Sequence, residues 1–577
     1  MSSPVDLVVV ELSRRGKLPL GEPFFTPGQP LLLDRKGLTE ARPGDLLAVH
    51  RPSRGRARIE RVLGAADDVE AVLEGLLVES GLRGGFEPHD LPEPTHEGRV
   101  DLRDLVTFTI DPETAKDFDD AISVRREGDG LRVWVHIADV AHFVPAGTPL
   151  DRGAADRGFS TYVPGRVAPM LPPELADDAC SLRPYVERLC VTVEIPFNGS
   201  LEPGEPLFYR SVIRSDERFT YGRAEEILRG REQAPPQLEG DPFRELERLG
   251  EVRRRLLAER VALELRRRRF GRGALRIETP EVVFAFDGRG GVERAWLERE
   301  PHAHMLVEEL MILANEAVAG LLASRRREAL YRVHERPDPH AILLLVAKLA
   351  DLGVPTPPAP EADRLGPGQA AELAGAVGER VAAYVEQSGR GREAFPSLVL
   401  RSLKQARYDP RNLGHTGLAS RAYCHFTSPI RRSPDLVVHR ALLHELGDAA
   451  EAAPGNLDWL AQHTSERERE AQRLEYRADD LCLAWLLEQV LFEREWEEPF
   501  PGEITGLIGS GLFVRFGEVF EGFLPARRLE GDYFELNALG TALVGRRTSR
   551  THRLGDPVEV RVAEIRRSEG KVEVAPA

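Results

Sequence analysis

A chain of 577 residues has room for about four domains of ~150 residues each. Hydrophobic residues make up 42% and charged residues 30%, a balance that excludes global disorder. The net charge of −16 excludes a uniformly basic nucleic-acid binder, so a polyanionic partner would have to meet locally concentrated positive charge. Cys180, Cys190, Cys424 and Cys482 show no Cys-x-x-Cys spacing and read as buried thiols of a reducing compartment. No segment approaches the ~18 uninterrupted apolar residues of a membrane span. The expectation is a cytoplasmic protein with no membrane contact that acts as a monomer.

Residues 1–65 contain short strand-like runs, 29–33 and 45–49, separated by Gly and Pro. The run Leu7-Val-Val-Val10 could be a strand or one face of a short helix. This length holds a single small barrel or one winged-helix-like unit, and the sequence leaves both open. Residues 66–79 have helical periodicity and read as part of a connector, 66–98, leading to the main body at 99–497.

The main body opens on Asp111-Pro-Glu-Thr-Ala-Lys-Asp117-Phe-Asp119-Asp120, directly after an alternating, strand-like run. Carboxylates this close repel one another, and some stay protonated unless a cation neutralises them. On a surface loop they are screened and mean little. In a cleft they read as a hard-cation site, for which all-oxygen ligation favours Mg²⁺ or Mn²⁺. The next two alternating runs flank Gly128-Asp-Gly130, a hairpin signal. A turn centred on residue 129 makes paired numbers sum to about 258 and sets Asp139 opposite Asp119 as a fifth carboxylate.

Tyr162 lies in the rigid turn Thr161-Tyr-Val-Pro-Gly165, and Tyr221 lies just before a helix. Ten arginines between Glu251 and Arg276 form either a solvated helix face or a phosphate-contacting surface. Residues 302–322 read as a buried helix, with His304, Glu308, Met311 and Asn315 on one stripe. Burying Glu308 or Glu309 there requires a partner, unless one of them is exposed. Residues 355–372 read as a Pro/Gly-rich surface loop. Downstream, Thr427-Ser-Pro-Ile-Arg-Arg-Ser-Pro-Asp435 puts Arg431 and Arg432 in a turn before a helix, which suits phosphate binding or a structural ion pair. Residues 465–492 form a long amphipathic helix. From 498 to 577 the pattern becomes five short strands, read as an OB-type barrel. There Phe513 and Arg515 alternate with Val514 and Phe516, so one pair faces the core and the other solvent. An exposed Phe513 beside Arg515 is a base-stacking platform.

Several of these stretches, with further motifs, resemble the RNase II/RNase R family of exoribonucleases. The motifs are the four-aspartate run, Val135-His-Ile-Ala-Asp139, Tyr162-Val-Pro-Gly165, Asp178-Ala-Cys-Ser-Leu182, Glu308-Glu309-x-Met311, Gly414-His-x-Gly-Leu418 and Ala422-Tyr-Cys-His-Phe-Thr-Ser-Pro-Ile-Arg-Arg432. They recur in the family's order, and the tail resembles its S1 RNA-binding domain. The resemblance implies an α+β multidomain chain: a catalytic RNB domain, a C-terminal S1 barrel and a small N-terminal RNA-binding module. It implies processive 3′→5′ hydrolysis of single-stranded RNA with a free 3′ end to nucleoside 5′-monophosphates. By the same resemblance Asp111, Asp117, Asp119 and Asp120 hold Mg²⁺, with Asp119 also catalytic. Tyr162 clamps a base, Tyr221 meets the 3′-terminal nucleotide, Glu308 reads the ribose, and Arg431 holds the scissile phosphate, with Arg432 beside it. The chain departs from the family pattern at Thr416, at Ser433 and at Ile277, which aligns with the second base-clamping aromatic. The alternative reading is a catalytically silent RNA-binding protein on the same fold.

Overall fold

The computed structural model describes residues 7–52, 55–229, 257–276, 281–298, 302–360, 365–448, 455–494 and 498–577. Ile277 and Arg253 to Arg255 lie outside the described residues. The architecture is a mixed α/β, multidomain one.

The N-terminal strands are β1 (Leu7–Arg15), β2 (Leu18–Pro23), β3 (Leu31–Leu32), β4 (Asp45–His50) and β5 (Arg58–Ala65), hydrogen-bonded in the order β3-β2-β1-β4-β5. A parallel bridge, Leu33 to Ala57, brings the two edges together. Backbone bonds Asp34 N to Ala57 O (2.9 Å) and Ala57 N to Leu32 O (2.8 Å) reinforce it. This is the connectivity of a barrel. The uninterrupted apolar run of β1 has a reason in burial. Val8 and Val10 fill the barrel interior, while Val9 faces outward onto α1 (Val69–Glu79). The Asp68 side chain caps α1 by accepting the Glu70 N–H.

The central sheet has seven strands in the order β14-β7-β8-β9-β12-β13-β6. They are β6 (Val100–Asp101), β7 (Phe108–Asp111), β8 (Asp120–Glu127), β9 (Gly130–Ala138), β12 (Glu187–Phe197), β13 (Leu207–Arg214) and β14 (Glu217–Thr220). Between β9 and β12 lie the helices α2 (Val140–Phe143) and α3 (Pro149–Arg157) and a small hairpin, β10 (Thr161–Val163) with β11 (Arg166–Ala168). A buried polar string crosses the sheet: Thr107 Oγ1 to Ser123 Oγ (2.8 Å), Ser123 to His136 Nε2 (3.1 Å), His136 Nδ1 to Thr192 Oγ1 (2.9 Å) and Thr192 to Ser211 Oγ (2.7 Å). Each hydroxyl of this string therefore has a partner.

The β8–β9 hairpin turns through Gly128-Asp129, where Gly128 has φ +59°, and pairs Glu127 with Gly130 and Asp120 with Ile137. Paired numbers sum to 257, one less than expected, because the turn has two residues and is centred between 128 and 129. Asp139 is not a fifth member of the acidic cluster. Its buried carboxylate meets Arg99 (2.7 Å) and Arg210 (3.0 Å), and it caps α2. Burial alone would raise its pKa, but Arg210 and Arg99 outweigh that and hold it below the usual carboxylate value.

The remaining helices include α4 (Tyr221–Leu228), α5 (Leu257–Gly271) and α6 (His302–Ser324), with the hairpin β15 (Glu281–Phe286) and β16 (Val292–Glu298) between α5 and α6. After the short strand β17 (Tyr331–Val333) come three helices, α7 (Pro339–Asp351), α8 (Pro367–Ser388) and α9 (Ala394–Arg401), with a core of their own. Part of the expected 355–372 loop is thus helix, because Pro367 sits at the first helical turn and the Gln369 Oε1 accepts the Gly366 N–H (3.1 Å). Strand β18 (Arg407–Asp409) pairs with β17 and leads to α10 (Ser433–Glu445) and the 37-residue helix α11 (Leu457–Glu493).

At the C-terminus β19 (Phe500–Ile508), β20 (Gly511–Phe516) and β21 (Phe520–Pro525) close a barrel with β25 (Pro557–Arg566) and β26 (Lys571–Pro576), in the order β19-β20-β21-β26-β25. Its one parallel contact, Phe523 to Glu573, corresponds to the Leu33–Ala57 bridge, so both barrels share one strand order. The sequence pattern did not disclose the three-stranded sheet inserted before β25: β22 (Phe534–Leu536), β23 (Ala542–Gly545) and β24 (Thr551–Arg553).

Candidate active site

The four aspartates gather at one end of the central sheet. Asp111 is the last residue of β7 and Asp120 the first of β8, while Asp117 and Asp119 lie in the intervening loop. That loop is braced by the Asp178–Leu182 motif: Ser181 Oγ accepts the Phe118 N–H (3.1 Å) and donates to Lys116 O (2.6 Å). Arg218 donates to Pro112 O (2.6 Å) and lies over the Phe118 ring.

Asp119 is buried, and its two oxygens are held by the Ile430 N–H (2.8 Å) and the Arg431 Nε (3.2 Å), more than 300 residues away. Burial pushes Asp119 well above the usual carboxylate value against the opposing pull of Arg431. Burial, then Asp120, raises Asp111 to about 7, and burial raises Asp120 to about 6. The buried Oδ2 of Asp111 has no hydrogen-bond partner. Among the described residues no three carboxylate, imidazole or thiolate groups converge into a preformed metal shell. An unsatisfied buried oxygen and neighbouring carboxylates that burial drives toward protonation nonetheless fit a hard divalent cation.

The sheet also explains how distant residues reach this place. Strand β14 runs parallel to β7, pairing Thr220 with Asp111, so Tyr221 follows directly beside the acidic end. Thr220 caps α4, and the Tyr221 ring stacks on His304 of α6 at 3.5 Å between centroids. On α6, Glu309 is buried and ion-paired to Arg269 of α5, whereas Glu308 is 51% exposed with only a 3.4 Å contact to the same arginine. Glu308 is therefore the member of the pair free to meet a ligand.

Arg431 is 44% exposed despite its bond to Asp119, so part of its fork faces solvent. Burial disfavours its charge, yet Asp119, Tyr162, Asp117 and Asp120 together hold its pKa above the ordinary value. Arg432 turns inward to the buried Asp435 (2.8 Å), which also accepts the Ser428 N–H (2.8 Å). These contacts brace the turn that carries Arg431. Bonds Ser160 N to Arg431 O and Ser433 N to Gly158 O (both 2.9 Å) tie this turn to the β10–β11 hairpin. From that hairpin the Tyr162 hydroxyl donates to Asp117 (2.6 Å). Burial and then Asp117 raise the tyrosine's pKa.

Arg218 and Glu475 were not singled out in the sequence, and Ser428 and the Ile430 amide lay in a quoted motif without an assigned role. Glu475 of α11 accepts the Tyr162 N–H (2.8 Å) across 313 residues and carries no local motif. His304 had a signal, its place on the Glu308 stripe. Of the arginine-rich stretch, Arg267 and Arg268 share Glu264 on their own helix, while Arg269 and Arg272 meet Glu309 and Glu316 of α6, so these four have carboxylate partners within the fold. Phe513 and Arg515 stand on the outer face of the C-terminal barrel, with Phe523 at 5.2 Å from Phe513, and do not contact the acidic cluster among the described residues.

A family model described as the RNB domain matches residues 99–448. Ribonuclease R of Escherichia coli K12 is 38% identical over 503 residues, 84% of this chain and 58% of that protein. The chain thus spans less than two thirds of that relative's length. Ribonuclease R of Aquifex aeolicus is 33% identical over 565 residues, 94% of this chain and 76% of that protein. The solved structure of Mycoplasma genitalium RNase R in complex with ribose-methylated single-stranded RNA has the same fold, with a TM-score of 0.84 at 24% identity, over 99% of this chain and 89% of that one. Aligned aspartates at a sheet end, an arginine brought to them from far downstream and these likenesses lead to one conclusion: the chain belongs to the RNB-domain family, that of the ribonucleases R.

Proposed function

We propose that this protein is a hydrolytic exoribonuclease that takes a single RNA strand 3′ end first to the acidic end of its central sheet and releases nucleoside 5′-monophosphates. The observation that carries the reading is the Arg431–Asp119 contact, which sets a permanently charged, half-exposed guanidinium beside Asp119, Asp117 and Asp120. Asp111, Asp117, Asp119 and Asp120 would hold Mg²⁺. Divalent ions held there would supply charge relief for a displacement at the phosphate. Arg431 neutralises charge that builds on the non-bridging phosphate oxygens, and it cannot lose its proton while doing so. Tyr221, held flat by His304, meets the terminal nucleotide. Glu308 accepts a hydrogen bond from a 2′-OH, the group that separates RNA from DNA. Tyr162 offers a base-stacking ring whose hydroxyl is anchored on Asp117.

The test is incubation of 5′-labelled RNA, single-stranded and as a duplex with a 3′ overhang, with Mg²⁺ and with chelator. A ladder that shortens from the 3′ end only with the metal is expected. Asp119→Asn should lower hydrolysis at least about 100-fold, on the scale of losing one transition-state contact, while RNA binding stays within a few-fold. Full activity in that variant would overturn the assignment. RNA binding without hydrolysis by the unaltered chain would establish the silent RNA-binding protein instead.

A further inference from the structure

In a chain of net charge −16, residues 541–553 contain Arg546, Arg547, Arg550 and Arg553 and no carboxylate. They form the β23–β24 hairpin of the sheet inserted into the C-terminal barrel region. Arg553 is committed at the root, where it donates to Asp351 O of α7 (2.9 Å). The tip carries the other three. Arg547 is 79% exposed, and Arg550 is exposed with no carboxylate partner among the described residues. Arg546 forms an exposed pair with Glu535 and lies over the ring of Tyr533, 5.1 Å from its centroid. An exposed pair of this kind is worth little and exchanges readily for a stronger anion.

The tip is also fixed. Asp532 accepts from Arg547 N (2.9 Å), Thr548 N (2.6 Å), Thr548 Oγ1 (2.7 Å) and Tyr533 N (2.7 Å). These bonds fix the turn around the Asp532 carboxylate, which also pairs loosely with the exposed Arg547 (3.7 Å), so the arginines project from a frame that needs no ordering on binding. Tyr533, 65% exposed, adds a ring face of the sort on which a nucleobase stacks.

We propose that this hairpin tip is an accessory RNA-binding site, gripping the phosphate backbone of a strand at a place separate from both the acidic site and the Phe513 face. It rests on the exoribonuclease reading above. Arginine forks match phosphate geometry, and a rigid cluster of three spans successive phosphates of one strand.

The experiment measures binding of labelled single-stranded RNA to the full chain, in chelator, as salt is varied. The variant combines Arg546→Ala, Arg547→Ala and Arg550→Ala, and a companion carries Lys at the same three positions. For RNA long enough to reach beyond the acidic site, the alanine variant should lower the slope of log K against log salt by about 2, from three contacts at roughly 0.7 each. The lysine variant should keep most of the slope, and the ratio of long- to short-RNA affinity should fall in the alanine variant alone. An unchanged slope on long RNA overturns the hairpin site and leaves the exoribonuclease reading standing. Equal losses on short and long RNA, or a matching loss in the lysine variant, also overturn it, because the hairpin then acts through the fold. If the unaltered chain neither binds nor shortens RNA, both readings fall together.

Discussion

Two adjacent glutamates on α6 differ by one step of helix rotation and by nearly everything else. Glu309 is 1% exposed and locked to Arg269, while Glu308 reaches solvent. Removing one partner of a buried pair strands the other, so Glu309→Ala should destabilise the protein by about 3–5 kcal/mol. Glu308→Ala should change stability by no more than about 0.5 kcal/mol and narrow the preference for RNA over DNA. Urea midpoints and hydrolysis of matched RNA and DNA strands separate the two effects; equal stability losses would refute this division. The sequence placed both residues on the helix but could not say which faced Arg269, since that depends on how α5 packs. The aspartates were legible because they are neighbours in the chain. Glu475 was not, because its only distinction is a backbone amide 313 residues away.

The polar string across the central sheet makes it acid-sensitive in a defined direction. Burial lowers His136 from the ordinary 6.5 to about 3, so the folded protein keeps it neutral. The unfolded chain takes up a proton below about 6.5, and the native chain does so only near 3. Stability from this group is therefore present above 6.5 and lost as the pH falls through that window, by roughly 1.4 kcal/mol per pH unit. The stability advantage of the natural chain over His136→Gln should shrink accordingly between pH 7.5 and 5, measured as the difference in urea unfolding. A pH-independent difference would show that His136 takes up its proton as readily in the fold as in the unfolded chain, and would refute the buried neutral ring. Strands β8 and β9 were readable from alternation and the Gly-Asp-Gly turn, yet the register was one residue off. That single step carried Asp139 from the acidic site into the Arg99–Arg210 pair. Sequence alternation gives the face of a strand, whereas the turn's hydrogen bonds decide its partner.

The two barrels are not independent appendages. One continuous core joins the outer face of β1 and β4, helix α1, the β15–β16 hairpin, helix α11 and the interior of the C-terminal barrel. A second joint fixes that barrel to the three helices α7 to α9. Glu503 of β19 accepts the backbone N–H groups of Arg392 (2.9 Å), Glu393 (3.2 Å) and Ala394 (3.1 Å), capping α9 from another unit, and Arg390 pairs with Asp556 (2.9 Å). Loss of such a cap costs about 1 kcal/mol. Glu503→Ala should therefore raise amide exchange in the first turn of α9 several-fold, and unaltered protection there would refute the cap. None of this was legible in advance. The strands of the C-terminal barrel follow from local pattern, but which helix end they cap depends on packing between segments about a hundred residues apart.

Helix α11 holds the Tyr162 hairpin through Glu475, the N-terminal barrel through Arg477 and Phe25, and the C-terminal barrel where Asp480 meets Gly570 and Glu488 meets Arg567. These attachments follow one another along a few turns of a rod that advances about 1.5 Å and rotates about 100° per residue. A single residue inserted between Glu475 and Asp480 would swing one barrel roughly a quarter-turn around the helix axis relative to Tyr162. This stretch can therefore vary in residue identity far more easily than in residue count.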